Sequence, residues 1–338
     1  MKNIIIFFLC FIIIVIFKFT VKAQTNTFSK IDFPQDLNIK DLEYFSEGFK
    51  KTCSKNFYRR LKNNKYYPQF GTVNSWEKIC SKIKKERKID LNFLKRNFFS
   101  IRKQTEKGVL TGYYEPEINI SNKKTDKFKY PLLKKTNNLE YERKHILKKY
   151  SVKDVLYWTD NNIDLFFLHI QGSGVGVLPN GKRVKLAYAG NNGFKYTSIG
   201  KILIRAQEIN EKNISLQSIK NWLEKNPTQI ESIFNYNKRF IFFKEDHKSI
   251  NYPKGAMNIE LIPKISIAID DSIYPYGLPF VLNLEKQEYN KFVLAHDTGS
   301  AIKGYNRADL FIGSGEASEE IAGNLKEFLE LYVLVPYN

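Results

Sequence analysis

Histidine and cysteine are scarce, four and three in 338 residues. The histidines (His145, His169, His247, His296) are scattered, and no Cys or His group has metal-ligand spacing. The sequence therefore predicts no metal centre. It predicts no cofactor either: the glycines around Gly172 and Gly174 lack the G-x-x-x-x-G-K-[ST] and G-x-G-x-x-G spacings that cradle phosphates. Tandem repeats and low-complexity arrays are missing, which excludes solenoids and propellers. Acidic side chains are outnumbered, 35 against 54 basic ones, for a formal charge of +19. No long apolar run is present. The longest, from Ile4 to Phe17, has 14 residues, short of the roughly 20 a membrane-spanning helix needs.

That short run is informative. Lys2 precedes it, and Val21 and Ala23 supply small residues at the −3 and −1 positions of a cleavage site before Gln24. The pattern predicts a signal peptide over residues 1–23 and export, with an uncleaved anchor as the alternative. Removing it leaves Cys53 and Cys80, and an even count in an exported protein favours a disulfide. The mature chain is long enough for two domains, and 43% hydrophobic residues suffice for packed cores. Lysine is spread along the whole chain, so the charge describes the entire surface. Nucleic acid, an anionic membrane face or an acidic polymer would each answer it.

Residues 24–38 read as a linker. Leu42, Phe45 and Phe49 follow helical spacing, as do Trp76, Ile79 and Ile83, and Asp90 reads as the N-cap of a third helix carrying Leu91, Leu94 and Phe98. The pair Cys53 and Cys80 would tie the first two helical regions together. VLTGYYEP, from Val109 to Pro116, reads as a strand; Thr111, Tyr113 and Tyr114 either fill a core or offer hydroxyls and flat faces to a sugar chain. Leu165 to Ile170 reads as an apolar strand running into Gln171, Gly172, Ser173 and Gly174, a stretch of accessible backbone. Pro179-Asn180-Gly181 turns into a strand in which Val184, Leu186 and Tyr188 alternate with Arg183, Lys185 and Ala187. Helices are expected at Ile199 to Ala206 and at Ser215 to Leu223. Strands follow at Arg239 to Phe243, Ile265 to Ile269 and Phe280 to Leu284. An amphipathic helix from Glu316 to Leu329 precedes a closing strand, Leu331 to Val335.

The chemistry concentrates between Phe292 and Gly315, FVLAHDTGSAIKGYNRADLFIGSG. A strand, Phe292 to Ala295, turns through Asp297, Thr298 and Gly299. A basic loop containing Lys303 leads to a second strand, Asp309 to Ile312. Carboxylates pinned at strand ends beside glycines suit acid/base chemistry. Asp297 equally suits capping of its own turn. Asp309 opens an apolar strand, where a charge needs a partner or a purpose. His296 and Asp297 are neighbours on a strand, so they point to opposite faces and make no relay.

Three blocks, GYYEP, DLFFLHIQGSG with AYAGNNGFKYTSIG, and DTGSAIKG followed by Asp309 and a G-x-G, resemble the membrane-bound lytic murein transglycosylase A family in content and order. The resemblance runs from about Cys53 to Pro336. It implies a mainly β fold with flanking helices: a double-psi β-barrel domain interrupted by an inserted second β-barrel domain. Residues 24–110 and 250–338 would form the first and 111–249 the second, with glycan between them. The implied reaction cleaves the β-1,4 bond between N-acetylmuramic acid and N-acetylglucosamine and leaves 1,6-anhydromuramyl ends. By family position Asp309 is acid and then base, with Asp297 supporting it. Thr111, Tyr113, Gln171, Gly172, Ser173, Tyr188 and Lys303 would meet the substrate. The expected partners are peptidoglycan strands and other cell-wall enzymes, not nucleic acid, for a monomer in the periplasm associated with the outer membrane. Family members carry a lipidated cysteine just after the apolar region; Cys10 lies inside that region behind Phe8 and Leu9, which does not match. Two other readings stand beside this one. Asp297-Thr298-Gly299-Ser300 spells an aspartic-protease DTGS, which would need a homodimer because the chain has no second copy. A murein-binding protein without catalysis is the other.

Overall fold

Two sheets organise the chain, and Pro116 lies between them. The computed structural model describes residues 28–34, 36–63, 69–104, 108–136, 141–247, 251–285 and 289–338; the signal peptide expected over 1–23 lies outside the described residues. The first sheet contains β1 (Phe28–Ile31), β2 (Phe98–Lys103), β3 (Gly108–Glu115), β10 (Ser266–Ile269), β11 (Pro279–Leu284), β12 (Phe292–Thr298), β13 (Arg307–Ser314) and β14 (Lys326–Pro336). Six of them close on themselves in the order β14, β11, β12, β10, β13, β3 and back to β14. The pairs β10–β12 and β13–β3 are parallel and the others antiparallel, as befits a double-psi barrel. Closure leaves no exposed edge within the ring.

The long β14 does three jobs. Along one side it pairs with β11; along the other, Lys326 to Leu329 pair with β3 and Tyr332 to Pro336 with β2, which carries β1. Helices α1 (Leu42–Ser54), α2 (Val73–Lys85) and α3 (Leu91–Asn97) cover this barrel. Their expected apolar faces are buried: Phe45 packs its ring 5.5 Å from Phe292, and Trp76 lies 6.0 Å from Phe98. Asp90 caps α3 by accepting the Phe93 N–H at 2.6 Å. Phe98 belongs to β2 instead of that helix.

The second sheet runs β5 (Tyr130–Leu133), β6 (Val155–Thr159), β4 (Glu117–Ser121), β7 (Gly174–Val177), β8 (Arg183–Asn191) and β9 (Ile241–Glu245). A bridge between Lys134 and Phe243 brings its two edges together into the second barrel. Helices α4 (Arg143–Lys149), α5 (Asn162–Gln171), α6 (Ile199–Arg205), α7 (Leu216–Lys225) and α8 (Ile230–Tyr236) accompany it. A separate helical core is centred on Phe166 and Phe234, stacked at 3.9 Å.

Two expectations are corrected. Leu165 to Ile170 is helical, within α5. A short apolar run carries no decisive period, and here the helix is buried on both sides: Leu165 and Leu168 face the sheet core, Phe166 and Phe167 the helical core. Asn161 caps it through Ile163 N–H at 2.8 Å, and Gly172 ends it at φ +83°. The hairpin at Asn180 therefore joins β7, not that run, to β8. The helix expected over Glu316 to Leu329 stops at Asn324 as α9 (Glu316–Asn324). Beyond it Phe328 points outward, 59% exposed, while Leu329 is buried, because barrel closure against β3 overrides the helical pattern. Residues 111–115 lie in β3, which pairs with β13 and β14 in the first sheet. Gly112 lets α9 sit on that strand; a Cβ there would come within 2.8 Å of Ala322 Cα.

Cys53 of α1 and Cys80 of α2 form a disulfide across 27 residues, both fully buried. The double substitution Cys53→Ala/Cys80→Ala should reduce unfolding free energy by about 3–4 kcal/mol, the chain-entropy value for a loop of this length. Denaturant midpoints in oxidising buffer measure it, and equal midpoints would mean the bond does not restrain the unfolded chain.

Candidate active site

Asp297, Ala268, Asp309 and Thr111 stand in register on four neighbouring strands, β12, β10, β13 and β3. Residues opposite one another on adjacent strands share a face, so the two carboxylates flank one small alanine. Their backbones are two strand spacings apart, about 9–10 Å, and no hydrogen bond joins the two side chains among the described residues.

Their surroundings differ. Asp309 accepts at Oδ1 from the Thr111 hydroxyl, and Thr111 in turn accepts from Arg307 Nη2 at 2.8 Å. Oδ2 of Asp309 has no hydrogen-bond partner among the described residues. Burial raises the pKa of Asp309, opposed by the Arg307 charge and the Thr111 hydrogen bond. Asp297 is saturated instead: Oδ1 accepts the Ala256 N–H at 2.9 Å and Oδ2 the Tyr113 hydroxyl at 3.0 Å. Burial pushes Asp297 up to about 6 against these hydrogen bonds, and the Asp309 charge pushes the same way. Tyr113 stacks on Phe311 at 5.3 Å. Burial, reinforced by the carboxylates, raises its own pKa and keeps the phenol a donor.

His296 faces the other way, fully buried. Thr52 donates its proton to Gly48 O at 2.8 Å, so it must accept from His296 Nε2 at 2.9 Å. His296 Nδ1 then accepts from Ser266 Oγ at 2.8 Å. This chain holds one neutral tautomer, and burial lowers the pKa to about 3. His296 thus anchors α1 to the strand that carries Asp297, without touching the carboxylate side. No group of three His, Cys, Asp or Glu suited to a metal ion occurs among the described residues.

Residues 109–244 match the family model for the MltA specific insert domain, and residues 265–335 that for the 3D domain. The chain is 29% identical over 349 residues to a membrane-bound lytic murein transglycosylase A homolog of Buchnera aphidicola subsp. Schizaphis graminum, covering 96% of this chain and 94% of that one. The chain belongs to the membrane-bound lytic murein transglycosylase A family. Its fold matches the crystal structure of a membrane-bound lytic murein transglycosylase from Agrobacterium tumefaciens with a TM-score of 0.77 at 24% identity, covering 92% and 98% of the two chains. It also matches that of Escherichia coli MltA with bound chitohexaose, with a TM-score of 0.73 at 24% identity, covering 93% and 96%.

Within this family fold, the residues singled out in the sequence divide into groups. Thr111 and Tyr113 are engaged by Asp309 and Asp297 themselves. Gln171 ends α5 and accepts the Tyr114 N–H at 3.4 Å; Gly172 and Ser173 follow, with open space around Gly172. Tyr188 is 46% exposed and is held by Asn191. Lys303, expected as a free cation for substrate, is instead paired with Asp270 at 3.0 Å and Asp271 at 3.4 Å, because its loop folds back on the end of β10. Arg307, Ala268 and Ala256 were missed. Arg307 had a usable signal: it stands two residues before Asp309, on the same face of a strand.

Two consequences are measurable. Arg307→Met removes the charge that opposes burial, so carboxyl NMR should show the Asp309 pKa rising further; a fall would mean that another group sets it. Asp297 has a folded pKa near 6, above the unfolded value of about 3.9. Its contribution to stability is full below that unfolded value and is lost as pH rises through the folded one. Asp297→Asn should therefore gain stability relative to wild type between about pH 4 and pH 6, and keep the gain above it. Unfolding midpoints across that range test the sign, and a constant difference would contradict it.

Proposed function

We propose that this protein is a lytic murein transglycosylase. It cleaves the β-1,4 bond between N-acetylmuramic acid and N-acetylglucosamine in peptidoglycan and leaves 1,6-anhydromuramyl ends. The observation that carries this reading is the unequal bonding of the two buried carboxyls: Asp309 keeps a free Oδ2, whereas both oxygens of Asp297 are occupied.

A glycoside hydrolase typically needs two working carboxyl groups, one of them to attack or to activate water. Here the muramyl C6 hydroxyl is already attached to the reacting sugar, and an intramolecular nucleophile has a very high effective molarity. One acid then suffices. Asp309 protonates the glycosidic oxygen as the bond to C1 breaks. Its carboxylate next accepts the C6 hydroxyl proton as that oxygen closes on C1. Thr111 and Arg307 steady the carboxylate formed between the two steps. Asp297, through Tyr113 and Ala256, braces the adjoining strand. The protease reading loses support at Asp297 itself: an aspartic dyad shares a proton between two touching carboxyls, and both oxygens of this DTGS aspartate are already engaged by Ala256 and Tyr113.

The glycan is the partner of this site, lying between the two barrels. The E. coli relative with bound chitohexaose supports a β-1,4-linked amino-sugar ligand. Gln171, Gly172, Ser173 and Tyr188 would approach it from the inserted barrel. A net charge of +19 favours a wall polymer bearing peptide carboxylates. The amino-terminal apolar run supports export to the periplasm. Association with the outer membrane is in keeping with relatives named membrane-bound; no helix among the described residues is long and apolar enough to cross a membrane.

Digestion of purified sacculi with product masses tests the reaction. Anhydromuropeptides are expected; reducing ends would indicate hydrolysis and cut peptides a protease. Asp309→Asn should lower their release by roughly 10² to 10⁴, the range for general acid catalysis, with sacculus binding intact. Asp297→Asn should be milder. The reverse order of severity would transfer the acid role to Asp297.

A further inference from the structure

Glu115 belongs to the GYYEP motif but takes no part in the row around Asp309. It is only 1% exposed, and Lys185 of the inserted barrel donates to both its oxygens, at 3.0 and 2.8 Å. The third proton of that ammonium goes to the Asn251 carbonyl at 2.7 Å. Ser314, at the end of the strand that carries Asp309, donates to Glu115 Oε2 at 2.5 Å.

These four segments are not a random set. Glu115 is the last residue of β3, where the chain leaves the first barrel. Asn251 lies where the chain comes back. Backbone hydrogen bonds follow the same seam: Lys185 O accepts from Asp246 N–H at 2.9 Å, Glu115 O from Gly315 N–H at 3.2 Å, and Pro116 O from Val175 N–H at 2.8 Å. One half-buried ammonium, with all three donors used, therefore ties both crossings between the barrels to the acid's own strand.

We propose that Lys185 and Glu115 are positioning residues: the pair pins the inserted barrel at the angle that lets a glycan strand contact both barrels. The inference rests on the glycan-cleaving reading above. Desolvation of the buried Glu115 carboxylate offsets much of the attraction to half-buried Lys185, so net stability is a poor reason for the pair. Direction is a better reason. Three fixed donors set an orientation that an apolar contact would leave loose, and misplacing a substrate by an ångström costs rate or affinity.

The test is the double variant Glu115→Gln/Lys185→Met. It removes both charges at similar volume, so no unpaired charge stays buried, and it breaks the tie to Asn251. On soluble uncrosslinked glycan strands, KM should rise about tenfold while kcat stays within about threefold, the signature of lost strand binding, with Tm near that of wild type. Wild-type kinetics in the double variant would overturn the inference and leave the pair a purely structural contact. Loss of kcat at unchanged KM would overturn it too, since the pair would then act on the acid. Lys185→Arg covers failure to fold: it keeps the charge with different geometry and should raise KM by a smaller factor, and an unchanged KM would refute the pin. Wild-type enzyme that released no anhydro products would instead sink the functional reading on which this one rests.

Discussion

The parallel pairing of β13 with β3 is the contact on which the rest depends. It brings together residues 198 positions apart, setting Thr111 beside Asp309. Two residues further along, Tyr113 packs on Phe311 and reaches Asp297. Parallel neighbours cannot be joined by a tight turn, so this register needs support from outside the pair. β14 supplies it by pairing with β3 and β11 at once and so closing the ring. Leu310, Val293, Phe280 and Leu331 are fully buried in the resulting core. Apolar burial of that kind offsets the entropy lost in closing so long a loop.

Once the ring is closed, small differences in local bonding divide two similar carboxyls into two roles. Burial raises the pKa of both. Asp297 spends its lone pairs on a backbone amide and a phenol that stays protonated. Asp309 is held from one side only, by a threonine that an arginine orients. The same low-dielectric setting thus makes one aspartate a brace and leaves the other able to give and take a proton. His296 adds rigidity from behind. Its neutral imidazole links α1 to β10 and β12 without introducing a charge that would compete at the site.

The inserted barrel hangs on the first at two crossings, and polar contacts cluster there. Besides the Lys185–Glu115 pair, Lys220 of α7 binds Glu319 of α9 at 2.6 Å, and Tyr114 of β3 donates to the same carboxylate at 2.8 Å. Interfaces between domains of one chain are commonly of this polar, directional kind. They fix orientation with little apolar burial, which suits two bodies that share one elongated substrate.

The sequence by itself determined the local elements and the chemical vocabulary. Asp90 and Ser215 marked helix starts, the hairpin turn at Asn180 was plain, Asp309 and Thr111 stood out as polar groups in apolar strands, and Asp297 stood out in the turn after one. Those features depend on neighbours a few residues away, where capping, turn chemistry and periodicity act. Tertiary structure alone decided the rest. Whether Leu165 to Ile170 coils or extends depends on being buried on both sides. Whether Lys326 to Leu329 ends a helix or starts β14 depends on β3, over 200 residues earlier. Lys303 looked free until its loop folded onto Asp270. Most of all, two equal aspartates became unequal only when Ala256 and Tyr113 arrived at one and Thr111 and Arg307 at the other. Hydrogen bonds and desolvation act through space, over a few ångströms, and sequence order does not record that distance.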